Sequence, residues 1–203
     1  MLRDTPLYGV YKALGHYPDY WYWKLRGQPV RSPHLLKQWT VREYGRNFGL
    51  KSLIETGTYY GEMVNAVKND FDPIYSIEYD ADLAAEAAGK FARYPHIHIL
   101  RGDSQVVLPE LLRAIAQPCL FWLDAGYWGW DELRRDPKRL SLEVEAILGH
   151  AVKEHVILMD DARCLNGENG AITVDELNER VRTKYPGRNV ELKHDIVRIT
   201  PKQ

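Results

Sequence analysis

The fold is decided by the stretch Ser52-Leu-Ile-Glu-Thr-Gly-Thr-Tyr-Tyr-Gly-Glu-Met-Val64. A short apolar run ends in the acid Glu55, two glycines follow at Gly57 and Gly61, and a helix-like stretch comes next. This order predicts a strand, a tight glycine turn and a helix, which together bring backbone N–H groups close to a nucleotide-like ligand. A second acid, Glu78, ends the next apolar run about twenty residues on, where such folds bind a ribose.

Length and composition fit one domain with a sizeable core. The chain has 203 residues, of which 45% are hydrophobic and 27% are charged, and its formal net charge is -1. This balance gives no reason to expect nucleic acid or an anionic membrane as a partner. No apolar run approaches the ~20 residues that span a bilayer, and the N-terminus lacks a signal-peptide pattern. The two cysteines form no paired framework, so a cytoplasmic, reducing setting is expected.

Residues 1–33 differ in composition from the rest of the chain. They are rich in tyrosine and tryptophan, carry several basic residues and are interrupted by Pro18, Pro29 and Pro33. One interpretation is an N-terminal cap that packs its aromatic side chains on the main domain, residues 34–203. The other is a lid or wall of the substrate pocket, because stiff aromatic rings suit ligand enclosure. Contacts between subunits, and hence a homo-oligomer, are also open.

Beyond this segment, apolar strands alternate with amphipathic helices. Strands are predicted at 51–55, 74–78, 97–100, 119–124, 155–160, 189–193 and 196–200. Helices are predicted at 34–47, 61–69, 82–93, 107–116, 140–150 and 173–185. Pro109 fits the first turn of its helix, and Thr173 with Glu176 forms a capping box.

This alternation predicts an α/β fold with a mostly parallel seven-stranded sheet and helices on both faces. The last two strands are separated by only His194 and Asp195. That connection is too short for a helical crossover, so these strands are expected to form a C-terminal antiparallel hairpin.

Acidic residues stand at the ends of five successive predicted strands, at the edge where open α/β sheets bind ligands. They are Glu55, Glu78, Asp103, Asp124 and the pair Asp160-Asp161. Each acid alone is more often a helix N-cap or a solvated strand end, but their placement along one edge favours a ligand site. Glu78 is placed to accept hydrogen bonds from a ribose, and Asp103 is placed near a base, so the pattern suits an adenosine-containing ligand.

Three of these acids, Asp124, Asp160 and Asp161, are expected to lie together and are named the acidic cluster. Their mutual repulsion is costly unless they are protonated or neutralised. Mg²⁺ would neutralise them, because it takes oxygen ligands and leaves positions open for substrate oxygens. In the alternative interpretation, Asp160 or Asp161 caps the following turn and Arg163 pairs with the other.

With these residues identified, the chain resembles class I S-adenosylmethionine (SAM)-dependent methyltransferases over residues 34–200. It is most similar to the divalent-metal-dependent sugar O-methyltransferases of the macrocin type. The motifs that carry the resemblance are Glu55-Thr-Gly-Thr-Tyr-Tyr-Gly61, Ser76-Ile-Glu-Tyr-Asp80, Arg101-Gly-Asp-Ser104, Phe121-Trp-Leu-Asp-Ala-Gly-Tyr127 and Ile157-Leu-Met-Asp-Asp-Ala-Arg163. The resemblance implies a Rossmann-like sheet whose seventh strand runs antiparallel between the fifth and the sixth. It also implies a Mg²⁺-assisted O-methyltransferase whose acceptor is a hydroxylated small molecule, such as a sugar or glycosylated metabolite.

The resemblance assigns roles to single residues. SAM would be bound by Glu55, Thr56, Gly57, Tyr59, Gly61, Glu78, Asp103, Ser104 and Asp124. Mg²⁺ would be held by the acidic cluster and would bind two neighbouring hydroxyls of the acceptor. The catalytic residues would be Asp124, Asp160 and Tyr127.

One position departs from the family pattern. Relatives usually carry a His or an acid two residues after the first metal-binding acid, where this chain has Gly126, which cannot take a proton. A base could come from Tyr127, from the N-terminal segment or from metal-bound hydroxide, or it could be missing. The loop Tyr127-Trp-Gly-Trp-Asp131 suits either stacking on the acceptor or a buried domain or subunit contact.

Two other functions stay open. The chain could be an NAD- or nucleotide-using enzyme of sugar metabolism, although its turn lacks the three-glycine pyrophosphate fingerprint. It could also be a cofactor-binding protein that has lost its base at Gly126. Lys37 is interpreted as a solvated helix charge or as a partner of the cofactor's carboxylate.

Overall fold

The structure is a computed structural model that describes residues 17–29, 31–124, 139–168 and 171–202. Within these ranges, the strands are β1 Ser52–Thr56, β2 Ile74–Glu78, β3 Ile97–Arg101, β4 Cys119–Leu123, β5 Val156–Met159, β6 Arg188–Lys193 and β7 Ile196–Pro201. They form one sheet in the order β3-β2-β1-β4-β5-β7-β6.

Helices cover both faces of this sheet. They are α1 over residues 17–25, α2 His34–Asn47, α3 Glu62–Val67, α4 Ala81–Phe91, α5 Ser104–Leu112, α6 Arg139–Gly149 and α7 Val174–Lys184. A 3-10 turn lies at Ala162–Cys164. Among the described residues, every helix falls short of the length and apolar character that crossing a bilayer requires.

The strand pairing confirms the predicted fold. β1 pairs in parallel with β2 on one side and with β4 on the other. β7 is antiparallel to both of its neighbours, β5 and β6, so the C-terminal hairpin and its position in the sheet are as predicted. Because the chain turns one way from β1 and the other way at β4, the carboxyl ends of these two strands form the topological switch point, where open sheets bind ligands.

Alternating side chains of the strands build one core on each face of the sheet. Ile54 and Phe121 point into a core formed with α5, α6 and α7. Leu53 and Trp122 point into a second core formed with α2, α3 and α4. All four side chains are fully buried. A sheet covered on both faces requires the near-continuous apolar strands seen in the sequence.

The helix ends confirm one predicted boundary and correct another. α7 begins with the predicted capping box of Thr173 and Glu176. The helix predicted at 107–116 instead begins at Ser104, so Pro109 lies inside it rather than in its first turn. The reason is Asp103, whose side chain accepts a hydrogen bond from the N–H of Gln105 at 2.9 Å and starts the helix earlier.

Residues 17–25 form a helix that the sequence analysis did not predict. Trp23 is buried and meets the ring of His194 in the β6–β7 hairpin edge-on, at 5.4 Å between centroids. Tyr20 packs on Trp39 of α2 at 5.0 Å. This part of the N-terminal segment therefore rests on the main domain. Its role as a cap or a lid stays a prediction.

Candidate active site

Predicted acids meet at the switch point. The N–H of Asp124 donates to the carbonyl of Thr56, and the N–H of Asp160 donates to the carbonyl of Leu123, both at 3.0 Å. The residues that follow β4 and β5 therefore continue the line of strand ends beside β1. The structure thus places Asp124 and Asp160 at the ligand-binding edge of the sheet.

The glycine turn after β1 folds towards the end of β2. Gly57 adopts a φ of 89°, and its N–H donates to the carbonyl of Ile77 at 2.9 Å. The N–H of Tyr59 then donates to Oε2 of Glu78 at 2.7 Å. Gly61 precedes α3 in the left-handed conformation, with a φ of 65°. α3 has only six residues and is shorter than the predicted helix 61–69, so the turn itself is the principal backbone feature here.

Glu78 stands at the edge between the glycine turn and the next loop. Its Oε2 accepts the bond from Tyr59, and its Oε1 accepts one from the N–H of Asp80 at 2.9 Å. Each carboxylate oxygen can accept more than one hydrogen bond. The bonds to the backbone therefore orient Glu78 and leave it capacity for hydroxyl donors, as ribose recognition requires.

Glu55 is linked to the glycine turn through the hydroxyls of Ser76 and Thr58. It is buried and accepts a hydrogen bond from the hydroxyl of Ser76, which in turn contacts the hydroxyl of Thr58 at 2.6 Å. Burial raises the pKa of Glu55 to about 8, against the opposing effect of the Ser76 bond. The Glu55 carboxyl is therefore mostly protonated at neutral pH and joins a buried polar network beneath the turn.

Glu143, a buried acid on α6, is a further member of the site that was not predicted from the sequence. The hydroxyls of Thr56 and Ser104, two predicted cofactor-binding residues, both donate to its carboxylate. Burial raises the pKa of Glu143 to about 7, against the opposing effect of these hydroxyl bonds. Glu143 thus ties the end of β1 to the start of α5, and the direct contacts of Thr56 and Ser104 with SAM stay predictions.

Asp103 is engaged by protein groups. Besides capping α5, its Oδ1 lies 2.6 Å from Nη1 of Arg139 on α6. The pair fixes the loop after β3 against α6. A position of Asp103 beside the adenine stays a prediction.

The structure pairs the acidic cluster with cationic side chains. The Nζ of Lys37 donates to Oδ2 of Asp160 and lies 3.9 Å from Oδ1 of Asp161. Nη1 of Arg163 lies 2.8 Å from Oδ1 of Asp161 and also contacts Asp195 in the β6–β7 turn. The other oxygen of Asp160, Oδ1, is buried without a hydrogen-bond partner in the described part of the chain.

Burial and mutual repulsion change the pKa values in this cluster. Burial, followed by the charge of Asp160, raises the pKa of Asp124 well above its usual value, and Lys37 opposes this rise. Burial raises the pKa of Asp160 to about 6, again with Lys37 opposing. For Lys37, burial lowers the pKa, but the attraction of Asp160 and Asp124 outweighs burial and raises it. The acids of the cluster therefore hold Lys37 in its charged, ammonium form at neutral pH.

These contacts decide how well the cluster fits Mg²⁺. The described residues contain no group of three His, Cys, Asp or Glu side chains that could hold a metal ion. The charge that the repelling carboxylates require is supplied by Lys37 and Arg163. As arranged, the residues present do not fit the ion, so the predicted Mg²⁺ is not supported. The pairing of Arg163 with Asp161 follows the alternative interpretation. The cap that this interpretation expects from the other acid is absent, because the 3-10 turn has no side-chain cap and Asp160 accepts its hydrogen bond from Lys37.

The role of Lys37 was missed although the sequence carried a signal for it. Lys37 is not a solvated helix charge, because only 13% of its side chain is exposed. It stands four and eight residues before Val41 and Gly45, both of which are buried. Helical spacing places residues i, i+4 and i+8 on one face, so the lysine belongs to the face of α2 that packs on the domain.

Several predicted features lie outside the described residues. They are Gly126, the candidate catalytic Tyr127, the loop 127–131 and residues 1–16. The role of Tyr127 stays a prediction.

Comparisons with solved structures agree with the observed fold. No protein-family model and no curated protein matches the sequence. An O-methyltransferase from Bacillus cereus, solved with SAH, matches with a TM-score of 0.61 and 11% identity over 88% of this chain and 86% of that chain. The fold is that of methyltransferases. The O-methyltransferase TomG from Streptomyces achromogenes, solved with SAM, has a TM-score of 0.60 and 14% identity over 88% and 85% of the two chains.

A third methyltransferase-fold structure covers slightly more of the chain. SAH-bound PaMTH1 from Podospora anserina has a TM-score of 0.58 and 18% identity over 91% of this chain and 87% of that chain. At such low identities the likeness establishes the fold, a Rossmann-like sheet with its antiparallel hairpin. The activity has to be argued from the site.

Proposed function

We propose that the chain is a SAM-dependent O-methyltransferase that acts on a hydroxylated small molecule. The observation that carries this proposal is the contact between the glycine turn and Glu78, where Tyr59 N–H donates to the carboxylate beside the switch point. A nucleoside needs this combination of closely approaching backbone and an acid at the end of β2. The bound SAM or SAH of the structural neighbours supports the same assignment.

The residues at the switch point suit the two halves of such a ligand. When bound, SAM supplies an electrophilic methyl group on a positively charged sulfur. Glu78 would accept hydrogen bonds from the ribose hydroxyls, while the backbone of Gly57 would allow close approach of the amino-acid part. Glu55 and Glu143, from below, would hold the two ends of this binding edge in place. Positioning of the acceptor oxygen against the methyl group supplies much of the rate in such a transfer.

Asp124 is the proposed general base, which takes the proton from the substrate hydroxyl that receives the methyl group. Its pKa is raised by burial and by Asp160, and a carboxylate with a raised pKa is the stronger base. It stands at the end of β4, beside the strand that leads into the glycine turn. This assignment supplies a base although Gly126 replaces the residue that relatives use.

The finer parts of the sequence-based prediction have no support beyond the sequence. These are a sugar as acceptor, Mg²⁺ assistance, a homo-oligomer and a cytoplasmic location. Mg²⁺ is left out of the proposed chemistry because Lys37 and Arg163 already pair with the acidic cluster.

Methyl transfer from labelled SAM to a panel of sugars and aromatic alcohols tests the proposal. We expect transfer to at least one acceptor. Asp124→Asn should lower kcat about 100-fold or more, the usual contribution of a general base, and its SAH affinity tests the separate prediction that Asp124 also contacts the cofactor. Asp70→Asn is the control, because Asp70 pairs with Arg42 at the surface. Full activity of Asp124→Asn would show that Asp124 is not the general base. Binding of SAM without methyl transfer to any acceptor would contradict the proposed methyltransferase activity.

A further inference from the structure

We infer that the ammonium group of Lys37 takes the place of a divalent cation in the acidic cluster, so that the acceptor is bound there without a metal ion. The inference deepens the proposed function and rests on it for the presence of an acceptor. Its structural part, the exclusion of the cation by Lys37, stands on the contacts alone.

The Lys37 nitrogen lies beside two carboxylates of the acidic cluster. It contacts Asp160 directly and lies 3.9 Å from Asp161, so one positive centre faces two consecutive carboxylates. Mg²⁺ or a similar ion would need oxygen ligands at about 2.0–2.6 Å in the same space. An ammonium group and a metal ion repel each other, and the Asp160 oxygen nearest the lysine, Oδ2, already accepts its hydrogen bond. The lysine therefore disfavours binding of the ion, although Oδ1 of Asp160 has no hydrogen-bond partner among the described residues.

Helix α2, which carries Lys37, is closely packed on the domain. Val41, one turn along the same face, is fully buried. Gly45, a further turn along, lies against Phe71, whose ring would be 2.6 Å from an added Cβ. The helix is thus packed closely on the domain, and this packing fixes the position from which the Lys37 side chain reaches the acidic cluster.

Asp160 is a buried acid that requires a cationic partner. Only 1% of the residue is exposed, and an unpaired charge at such a site is strongly destabilising. Lys37 is its cationic partner among the described residues. Removing the lysine leaves the carboxylates without a neutralising charge, and a divalent cation from solution can bind there and neutralise them.

A consequence for the acceptor follows. A metal ion with open positions can bind two neighbouring hydroxyls at once, whereas an ammonium group offers only hydrogen-bond donors. A metal-chelating pair of neighbouring hydroxyls is therefore not required. The acceptor class includes molecules with a single alcohol or phenol group.

Binding of Mn²⁺, followed by electron paramagnetic resonance in the absence of SAM and acceptor, tests the inference. We expect no Mn²⁺ binding that depends on Asp160 in the wild type, judged against Asp160→Asn. Lys37→Ala should bind one Mn²⁺ at least about tenfold more tightly than the wild type, because an opposing charge is lost. Lys184→Ala is the matched control, since Lys184 faces Glu145 at the surface at 3.8 Å and should leave Mn²⁺ binding unchanged. Lys37→Gln is a second variant, in which a neutral side chain with an amide donor replaces the ammonium group and keeps most of its packing volume.

Two results would overturn the inference. One is Mn²⁺ that binds the wild type and is lost in Asp160→Asn. The other is Mn²⁺ binding by folded Lys37→Ala and Lys37→Gln no tighter than by the wild type. The Mn²⁺ measurement contains no SAM, and SAH binding is measured separately. Failure of the proposed function would appear as a lack of SAH binding, whereas failure of the inference would appear only in the Mn²⁺ measurement.

Discussion

Replacing Gly61 by alanine is expected to lower the free energy of unfolding by about 3 kcal/mol. The residue has a φ of 65°, which costs an L-residue roughly 1–2 kcal/mol. An added Cβ would also lie 2.6 Å from Cε2 and 3.0 Å from Cζ of Phe91. Phe91 is buried in the core beneath α3 and α4, so its ring cannot yield freely, and overpacking of this kind costs roughly 1–3 kcal/mol. Urea denaturation of the two proteins measures the difference.

Gly49→Ala is the matched control for this expectation. Gly49 has nearly the same φ, 64°, but an added Cβ there meets no atom within 4 Å. Gly49→Ala should therefore lower the free energy of unfolding only by the cost of the positive φ, roughly 1–2 kcal/mol. Equal losses at Gly61 and Gly49 would show that the turn is not packed on Phe91 as described.

Raising the pH from 4.5 to 8 is expected to lower the free energy of unfolding of both the wild type and Glu143→Gln. The decrease should be about 3 kcal/mol larger in the wild type. The pKa of Glu143 is about 7 in the folded protein against 4.5 for the ordinary group. Folding therefore favours the protonated form, and the resulting stabilisation is complete below pH 4.5 and is lost as the pH rises through 7. A difference of this size corresponds to about 3 kcal/mol. Glu55, with a pKa of about 8, adds a loss of the same sign in both proteins.

Urea unfolding at pH 4.5 and pH 8, without ligand, measures this difference. The exposed Glu110 on α5 gives the control variant Glu110→Gln, which should keep the wild-type dependence on pH. An equally steep decline in Glu143→Gln would show that Glu143 does not bind its proton in the folded state.

The fold was predictable from the sequence because its signals are local. Apolar strands of about five residues alternate with helices, and the two-residue connection at His194 and Asp195 permits only a hairpin. The errors are also local. Pro109 was assigned to a first turn although Asp103 starts the helix earlier. The prolines of the N-terminal segment were read as interruptions, whereas Pro18 lies in the first turn of α1, where proline is tolerated.

The site was only half predictable because its partners come from distant parts of the chain. The acids at the strand ends follow from the sheet topology. Lys37, by contrast, stands 123 residues before Asp160, and Glu143 stands 87 residues after Thr56. No local spacing indicates such pairs. Mg²⁺ was expected because repulsion among the acids was visible in the sequence while the lysine that relieves it was not.

Calorimetric titration with S-adenosylhomocysteine tests the central claim, that the glycine turn and Glu78 bind the nucleoside of the cofactor. We expect the wild type to bind one molecule and Glu78→Ala to bind it roughly 100-fold more weakly, because two hydrogen bonds to a charged group are lost. Glu191→Ala, which removes an exposed acid of the β6–β7 hairpin, should bind like the wild type. No binding by the wild type, or equal affinity in Glu78→Ala, would contradict the account.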